Sequence, residues 1–159
     1  MHIPALSHLP IDWIIIAVFA LIVIFDAMRS GSGRASVLAL AFPISVFFSD
    51  LIPHTVLLGN AIASLSTPVL KAGIFVVTFA IIYILTYRII YTFGGTSRGL
   101  IFAILSGLSA TAVTVVMWLQ VPALNAIWHF GTQVQSIFGA TYAIFWILAA
   151  YLVLAFVRS

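Results

Sequence analysis

The sequence predicts an all-α membrane protein: a bundle of five transmembrane helices, with one or two interfacial helices on its outer side. Hydrophobic residues fill 64% of the 159 positions and charged residues only 6%, whereas a soluble domain carries about 25% charged residues. The apolar residues are also grouped into long runs, and a run of roughly 20 is enough to cross a hydrocarbon core of about 30 Å. We therefore expect residues 1–159 to form a single transmembrane domain.

The first two predicted spans are separated by a short polar turn. Residues 11–28 form the first span, and the turn at 29–34 reads Arg-Ser-Gly-Ser-Gly-Arg. No Lys or Arg precedes the first run, so we expect a retained helix rather than a cleaved signal peptide. The second span, residues 35–52, contains Pro43, which lacks a backbone donor and is expected to kink the helix.

Residues 53–68 allow more than one interpretation. Prolines flank this stretch and Gly59 and Asn60 interrupt it, so its scattered apolar residues suit an amphipathic helix in the outer membrane interface. A re-entrant or spanning segment is the alternative, and a re-entrant backbone would have to be buried in protein. Residues 72–93 form the third and most continuous span, which a polar turn follows.

The fourth span, residues 99–121, carries small side chains at every fourth position. The row consists of Gly99, Ala103, Gly107 and Thr111. Small residues at this spacing let two helix backbones approach closely, which is how membrane helices associate in lipid. We therefore expect a helix-packing face here, and the fourth helix at the centre of the bundle. Lining of a pore is the alternative role for the same row.

The last part of the chain combines a polar stretch with a final span. Residues 122–138 carry no formal charge but contain Trp128, His129 and several amide side chains. Such residues are typical of the membrane-water interface, so we expect an outer interfacial loop or a short helix. The fifth span, residues 139–157, is followed by Arg158.

Basic residues mark one side of the predicted bundle. Lys71 falls on the other side, but five arginines lie at alternate ends of the spans: Arg29, Arg34, Arg88, Arg98 and Arg158. Cytoplasmic loops of membrane proteins gather Lys and Arg. This distribution predicts a multi-pass inner-membrane protein, with its N-terminus outside and its C-terminus in the cytoplasm.

Asp26 is the acidic residue closest to the predicted hydrocarbon core. It lies near the end of the first span, at a depth similar to that of Arg88 in the third span, and a charge at this depth is costly unless it is paired or reaches the headgroups. We predict a structural ion pair between Asp26 and Arg88, or between Asp26 and Arg29. A protonatable carboxylate in an ion path is the functional alternative.

The remaining ionisable residues indicate no catalytic or metal centre. Asp12 begins the first span, where a carboxylate caps a helix and interacts favourably with its dipole. Asp50 and His54 are four residues apart without a third partner, so a capped helix end is a better interpretation than a metal site. The sequence contains no cysteine and no motif of a nucleophile, base or phosphate-binding loop. We therefore expect no enzyme activity, no cofactor and, with basic residues confined to separate loops, no nucleic-acid binding.

Two short motifs resemble the CvpA (colicin V production) family of small bacterial membrane proteins. Ile-Asp-Trp at 11–13 leads into an apolar helix and an Arg-x-Gly-x-x-Arg turn at 29–34, and Thr-Ser-Arg-Gly at 96–99 precedes a helix with small residues. The likeness covers roughly residues 11–120. Ala35 stands where the family usually has an acid, Ser97 where it has Asp, and an apparent fifth span replaces its C-terminal tail. The resemblance implies an envelope-associated protein, tied to secretion or envelope maintenance, and supplies no catalytic residue.

The expected function is that of a non-enzymatic integral membrane protein acting through helix-helix assembly, surrounded by lipid and joined to itself or to a larger envelope complex. A small oligomeric channel or transporter, with Asp26 and Arg88 as gating or proton-linked groups, is the first alternative. An accessory subunit of an energy-transducing complex, holding lipid or a cofactor between helices, is the second.

Overall fold

The computed structural model of this chain describes residues 11–51, 67–93 and 99–158, and the regular elements in these ranges are all α-helices. In chain order they are α1 (Ile11–Ser30), α2 (Gly33–Leu51), α3 (Pro68–Phe93), α4 (Leu100–Gln120), α5 (Pro122–Ile127), α6 (Thr132–Phe138) and α7 (Ala143–Arg158). The predicted all-α helix bundle is confirmed. Residues 53–66 lie outside the described ranges, so an interfacial helix there stays a prediction.

Three of the described helices are long and apolar enough to cross a membrane: Ile11–Ser30, Lys71–Ile90 and Leu100–Gln120. α6 and α7 meet this criterion only together, and they are bent by 65° at the break between them. At about 1.5 Å per residue, the 16 residues of α7 reach only about 24 Å. α2 is apolar over the shorter stretch Gly33–Ser49. The described residues thus contain three helices of spanning length, or four with the bent pair, and the predicted count of five spans stays a prediction.

α4 is the central helix of the bundle, as the sequence predicts. Over an apolar stretch of 18 residues in each helix, 56% of the residues are buried in α4, against 22% in α1 and 11% in α3. α1, α2 and α7 pack along α4, whereas α3 packs along α2 and contacts α5. α1 and α4 run antiparallel, because Asp12 at the start of α1 bonds to Gly131 beyond the end of α4, while Ile24 packs on Gly107.

Only Gly31 and Ser32 separate α1 from α2. Gly31 has a φ of 88°, in the left-handed region that a residue without a Cβ adopts at little cost. The Ser32 carbonyl then accepts a hydrogen bond from the Ser36 amide at 3.1 Å, which starts α2. The chain therefore reverses direction within two residues, and the first turn of α2 lies beside the last turn of α1.

The core around α4 is built largely from small side chains. Alanines contributed by four helices meet there: Ala27, Ala35, Ala39, Ala103, Ala110 and Ala150. Small residues let helix backbones approach closely, and van der Waals packing of this kind replaces the hydrophobic effect as the source of association in lipid.

Aromatic side chains hold α3 against α2. Phe75, Phe79, Tyr83 and Tyr87 follow one another at every fourth position, with successive ring centroids 6.3, 5.9 and 6.4 Å apart. The Phe42 ring of α2 packs 5.4 Å from the Phe75 ring and 5.4 Å from the Phe79 ring. One face of α3 is therefore directed towards α2, and the opposite face is left uncovered.

Candidate functional site

All four tryptophans of the chain lie at one end of the bundle, which we call the tryptophan end. They are Trp13 in the first turn of α1, Trp118 in the last turn of α4, Trp128 between α5 and α6, and Trp146 in the first turn of α7. The Trp118 Nε1 donates a hydrogen bond to the Trp128 carbonyl oxygen at 3.1 Å. Tryptophan is enriched where a membrane meets water, so this end has the composition of a membrane interface.

Asp12 joins the start of α1 to residues 128–131, a segment that we call the strap. Its Oδ2 accepts a hydrogen bond from the Gly131 amide at 2.7 Å, and its Oδ1 accepts one from Trp128 Nε1 at 3.3 Å. Asp12 is only 8% exposed. The sequence assigned Asp12 to its own helix end, whereas in the structure its carboxylate binds a segment that begins 116 residues later.

An apolar cavity of about 310 Å³ lies under the strap, between α1 and α4. Its walls include Ile15, Phe19, Thr114, Trp118, Trp128 and Phe130. The polar atoms among these side chains are occupied elsewhere: the Thr114 hydroxyl donates to the Ala110 carbonyl at 2.8 Å, and both indole N–H groups have the partners given above. A cavity of this kind offers a ligand apolar surface and no hydrogen bond.

A smaller and more polar pocket of about 250 Å³ lies at the same end, lined in part by Asn125, His129 and Gln135. Asn125 Nδ2 donates to the Leu119 carbonyl at 3.2 Å, and Gln135 Nε2 donates to the Phe130 carbonyl at 2.7 Å. The Asn125 Oδ1 is buried without a hydrogen-bond partner. These side chains shape the α5–α6 region, where the sequence predicts an interfacial segment, and the structure folds that segment into two short helices.

The ion pair at the opposite end of the bundle joins Asp26 to Arg34. Asp26 Oδ1 lies 2.9 Å from Arg34 Nη1, and the two side chains are 42% and 41% exposed. The pairing of Asp26 with Arg88 or Arg29 stays a prediction, and this contact gives Asp26 a partner that the sequence did not predict. The physical reason is the tight turn at Gly31, which brings the first turn of α2 alongside the last turn of α1.

The row of small residues on α4 packs inside the chain. Ala103, Gly107 and Thr111 are buried, whereas Gly99 is exposed just before α4 begins. A Cβ added to Gly107 would lie 2.5 Å from Ile24 Cγ1 and 2.9 Å from the Ile24 Cα. The α1 backbone therefore lies directly on Gly107, so the packing face is occupied by α1 and is not available to another chain.

The arginines of the described ranges lie at the end of the bundle opposite the tryptophans. Arg29 is exposed in the last turn of α1, Arg34 is in the first turn of α2, and Arg88 is exposed near the end of α3. α7 ends at Arg158. Arg98 lies outside the described residues.

No metal centre is found in the described ranges, where no three His, Cys, Asp or Glu side chains are close enough together to hold an ion. His54 and the side chain of Asp50 are not among the described parts of the chain, so the interpretation of that pair stays a prediction.

Two features of these sites could not be derived from residue types and spacing. The Gly131 amide is a backbone donor, which any residue offers, and Arg34 was assigned only to topology. The sequence contains one signal that points to the tryptophan end. When successive helices alternate in direction, the four tryptophans all fall on the same side of the membrane.

Comparison of the chain with protein-family models, with curated proteins and with solved structures finds no match in any of the three. The resemblance to the CvpA family therefore rests on the residues at 11–13, 29–34 and 96–99 alone.

Proposed function

We propose that this chain is a non-enzymatic integral membrane protein of the bacterial inner membrane that acts by pairing, through α3, with a second copy of itself. The observation that carries the proposal is an exposed seam on α3, made of Gly73, Val77, Ala80 and Ile84. Val77 and Ile84 are 60% and 59% exposed, and Gly73 and Ala80 are exposed as well. A Cβ built on Gly73 meets no atom within 4 Å.

The spacing of the α3 seam supports helix pairing. Its members are separated by four, three and four residues, which is the repeat that keeps one stripe of a helix against a partner helix. Gly73 and Ala80 leave room for a close backbone approach. Val77 and Ile84 are β-branched and stiff in a helix, so packing them costs little side-chain entropy.

The position of α3 at the edge of the bundle adds to this argument. The sequence favoured the small-residue row of α4 for assembly, but α1 covers that row. Assembly through small residues therefore needs a similar row that no described helix of the chain covers. α3 provides one, because its aromatic face is directed towards α2 and only 11% of its apolar part is buried. A channel through Asp26 has less support, since that carboxylate is paired with Arg34.

Cysteine cross-linking in native membranes tests the pairing, and the chain contains no cysteine of its own. We expect Ile84→Cys to form a disulfide-linked dimer under mild oxidation, because a disulfide needs Cα atoms within about 7 Å of each other. Ile22→Cys on α1 and Leu148→Cys on α7 are matched controls, since Ile22 is 61% and Leu148 59% exposed. Equal dimer yields at all three positions, or none at Ile84→Cys, would contradict the proposal.

The two chemically distinct ends of the bundle support an orientation. Arginines lie at one end, whereas Lys71 lies in the first turns of α3, at the tryptophan end. By the positive-inside rule the arginine end is cytoplasmic. The proposed arrangement has the N-terminus outside and the C-terminus inside, in an envelope or secretion role of the kind that the CvpA resemblance implies.

Reporter fusions at the two termini test this orientation. A reporter active only in the cytoplasm is expected to work at the C-terminus and to fail at the N-terminus, and a reporter active only outside should show the reverse. The proposed orientation is lost if both termini are found in one compartment. Removal of the charges at Arg29 and Arg34 should weaken the preference for this orientation, because these are the basic residues closest to the first span.

A further inference from the structure

We propose that the cavity under the strap holds one acyl chain of a membrane phospholipid, at the level of the upper part of the chain. This assignment is independent of dimer formation through α3. The cavity lies between helices that are surrounded by lipid in the membrane, so the apolar molecule next to its opening is an acyl chain. An empty pocket of about 310 Å³ would leave its wall atoms without contact partners, and the lost dispersion energy favours filling it.

The depth of the cavity determines which part of the chain enters. Ile15 and Phe19 are four and eight residues from the start of α1, which places them about 6 and 12 Å below it at 1.5 Å per residue. The tryptophan end lies at headgroup level. The cavity therefore meets the methylenes that follow the ester carbonyl rather than the terminal methyl group.

The strap distinguishes this site from the general lipid surface of the bundle. Trp128 and Phe130 cover the cavity from the headgroup side, and Asp12 holds the strap in place through two hydrogen bonds. An acyl chain under the strap is enclosed by aromatic and aliphatic walls, whereas a chain against α3 touches one helix face only. The bound chain should therefore exchange with the bilayer more slowly than its neighbours.

Photoreactive phospholipids reconstituted with the full chain test the assignment. One probe carries a diazirine near the ester carbonyl and the other carries it at the chain terminus. We expect the first probe to label Ile15 and Phe19 above their neighbours on α1. These neighbours, Ile14 and Val18, lie at almost the same depth, are 42% and 50% exposed and do not line the cavity. The second probe should label Ile15 and Phe19 no more than these neighbours.

A pair of neighbouring substitutions makes the test specific. Ile15→Trp places a bulky indole ring in the cavity and is expected to remove the excess labelling of Phe19. Ile14→Trp is the control, because Ile14 is similarly exposed, at 42% against 38%, and does not line the cavity.

Three outcomes would overturn the assignment. Labelling of Ile15 and Phe19 at the level of Ile14 and Val18 in the unmodified chain means that no acyl chain is held there. Equal labelling by the two probes means that the depth is wrong. Excess labelling that persists in a folded Ile15→Trp variant means that another site captures the lipid. If Ile15→Trp does not fold, the comparison of Phe19 with Val18 in the unmodified chain still tests the assignment.

Discussion

Replacement of Gly107 by leucine is expected to lower the free energy of unfolding by about 3 kcal/mol, the upper end of the usual range for overpacking. The first atom of the new side chain would lie 2.5 Å from Ile24 Cγ1, 2.9 Å from Ile24 Cα and 3.0 Å from the Ile24 amide N. Two of these atoms are backbone atoms, so no rotamer change relieves the overlap. α1 and α4 must move apart, and the alanine core between them loses its packing.

Gly73→Leu is the matched control, because the same change is made where a Cβ meets no atom within 4 Å. Unfolding in mixed detergent micelles, followed by far-UV circular dichroism, should leave this variant near the stability of the unmodified chain. In membranes, however, Gly73→Leu should abolish the Ile84→Cys dimer, because the seam loses its close approach. Equal stability of Gly107→Leu and Gly73→Leu would show that α1 does not rest on α4 as described.

Asp12→Asn is expected to destabilise the fold by about 2 kcal/mol, the usual loss for hydrogen bonds to a charged group. The amide has the same shape as the carboxylate but only one acceptor oxygen, so it can accept from Trp128 or from Gly131 but not from both. Its Nδ2 then faces a donor. Limited proteolysis should cut the strap faster in this variant, and unfolding in mixed micelles should begin earlier.

Asp26→Asn is the control for this prediction, since it makes the same chemical change at the other end of α1. The Asp26–Arg34 pair is more than one-third exposed on both sides, and exposed ion pairs contribute less than about 1 kcal/mol because solvent screens them. We expect Asp26→Asn to leave the strap protected from protease. If Asp26→Asn lowers the free energy of unfolding more than Asp12→Asn does, the roles that the structure assigns to the two acids are wrong.

Several elements follow from short-range patterns along the chain. Repetition of small residues at every fourth position placed Gly107 in a close helix contact. The Gly and Ser residues at 30–33 predicted a reversal, and Gly31 provides it with a positive φ. These predictions depend on neighbours within a few turns of one helix, and such neighbours are visible in the sequence.

Long-range partners could not be obtained in this way. The Asp26–Arg34 pair depends on the length of the turn between α1 and α2. The bond from the Gly131 amide to Asp12 depends on the antiparallel packing of α1 on α4. The predicted span of 139–157 also begins later in the structure, because the chain bends by 65° after α6 and α7 starts at Ala143. An apolar run has the same composition whether it crosses the membrane as one straight helix or as two helices with a bend.

By itself, the sequence of this protein determines helices, their apolar character and a basic side, because hydrogen bonding within a helix and transfer into lipid depend on local composition. Which helix lies beside which was decided by the tertiary structure alone. In lipid, an apolar face gains little from facing protein rather than an acyl chain, so the choice of neighbour depends on shape. Gly107 under Ile24, the strap over its cavity and the uncovered seam of α3 are all consequences of that fit.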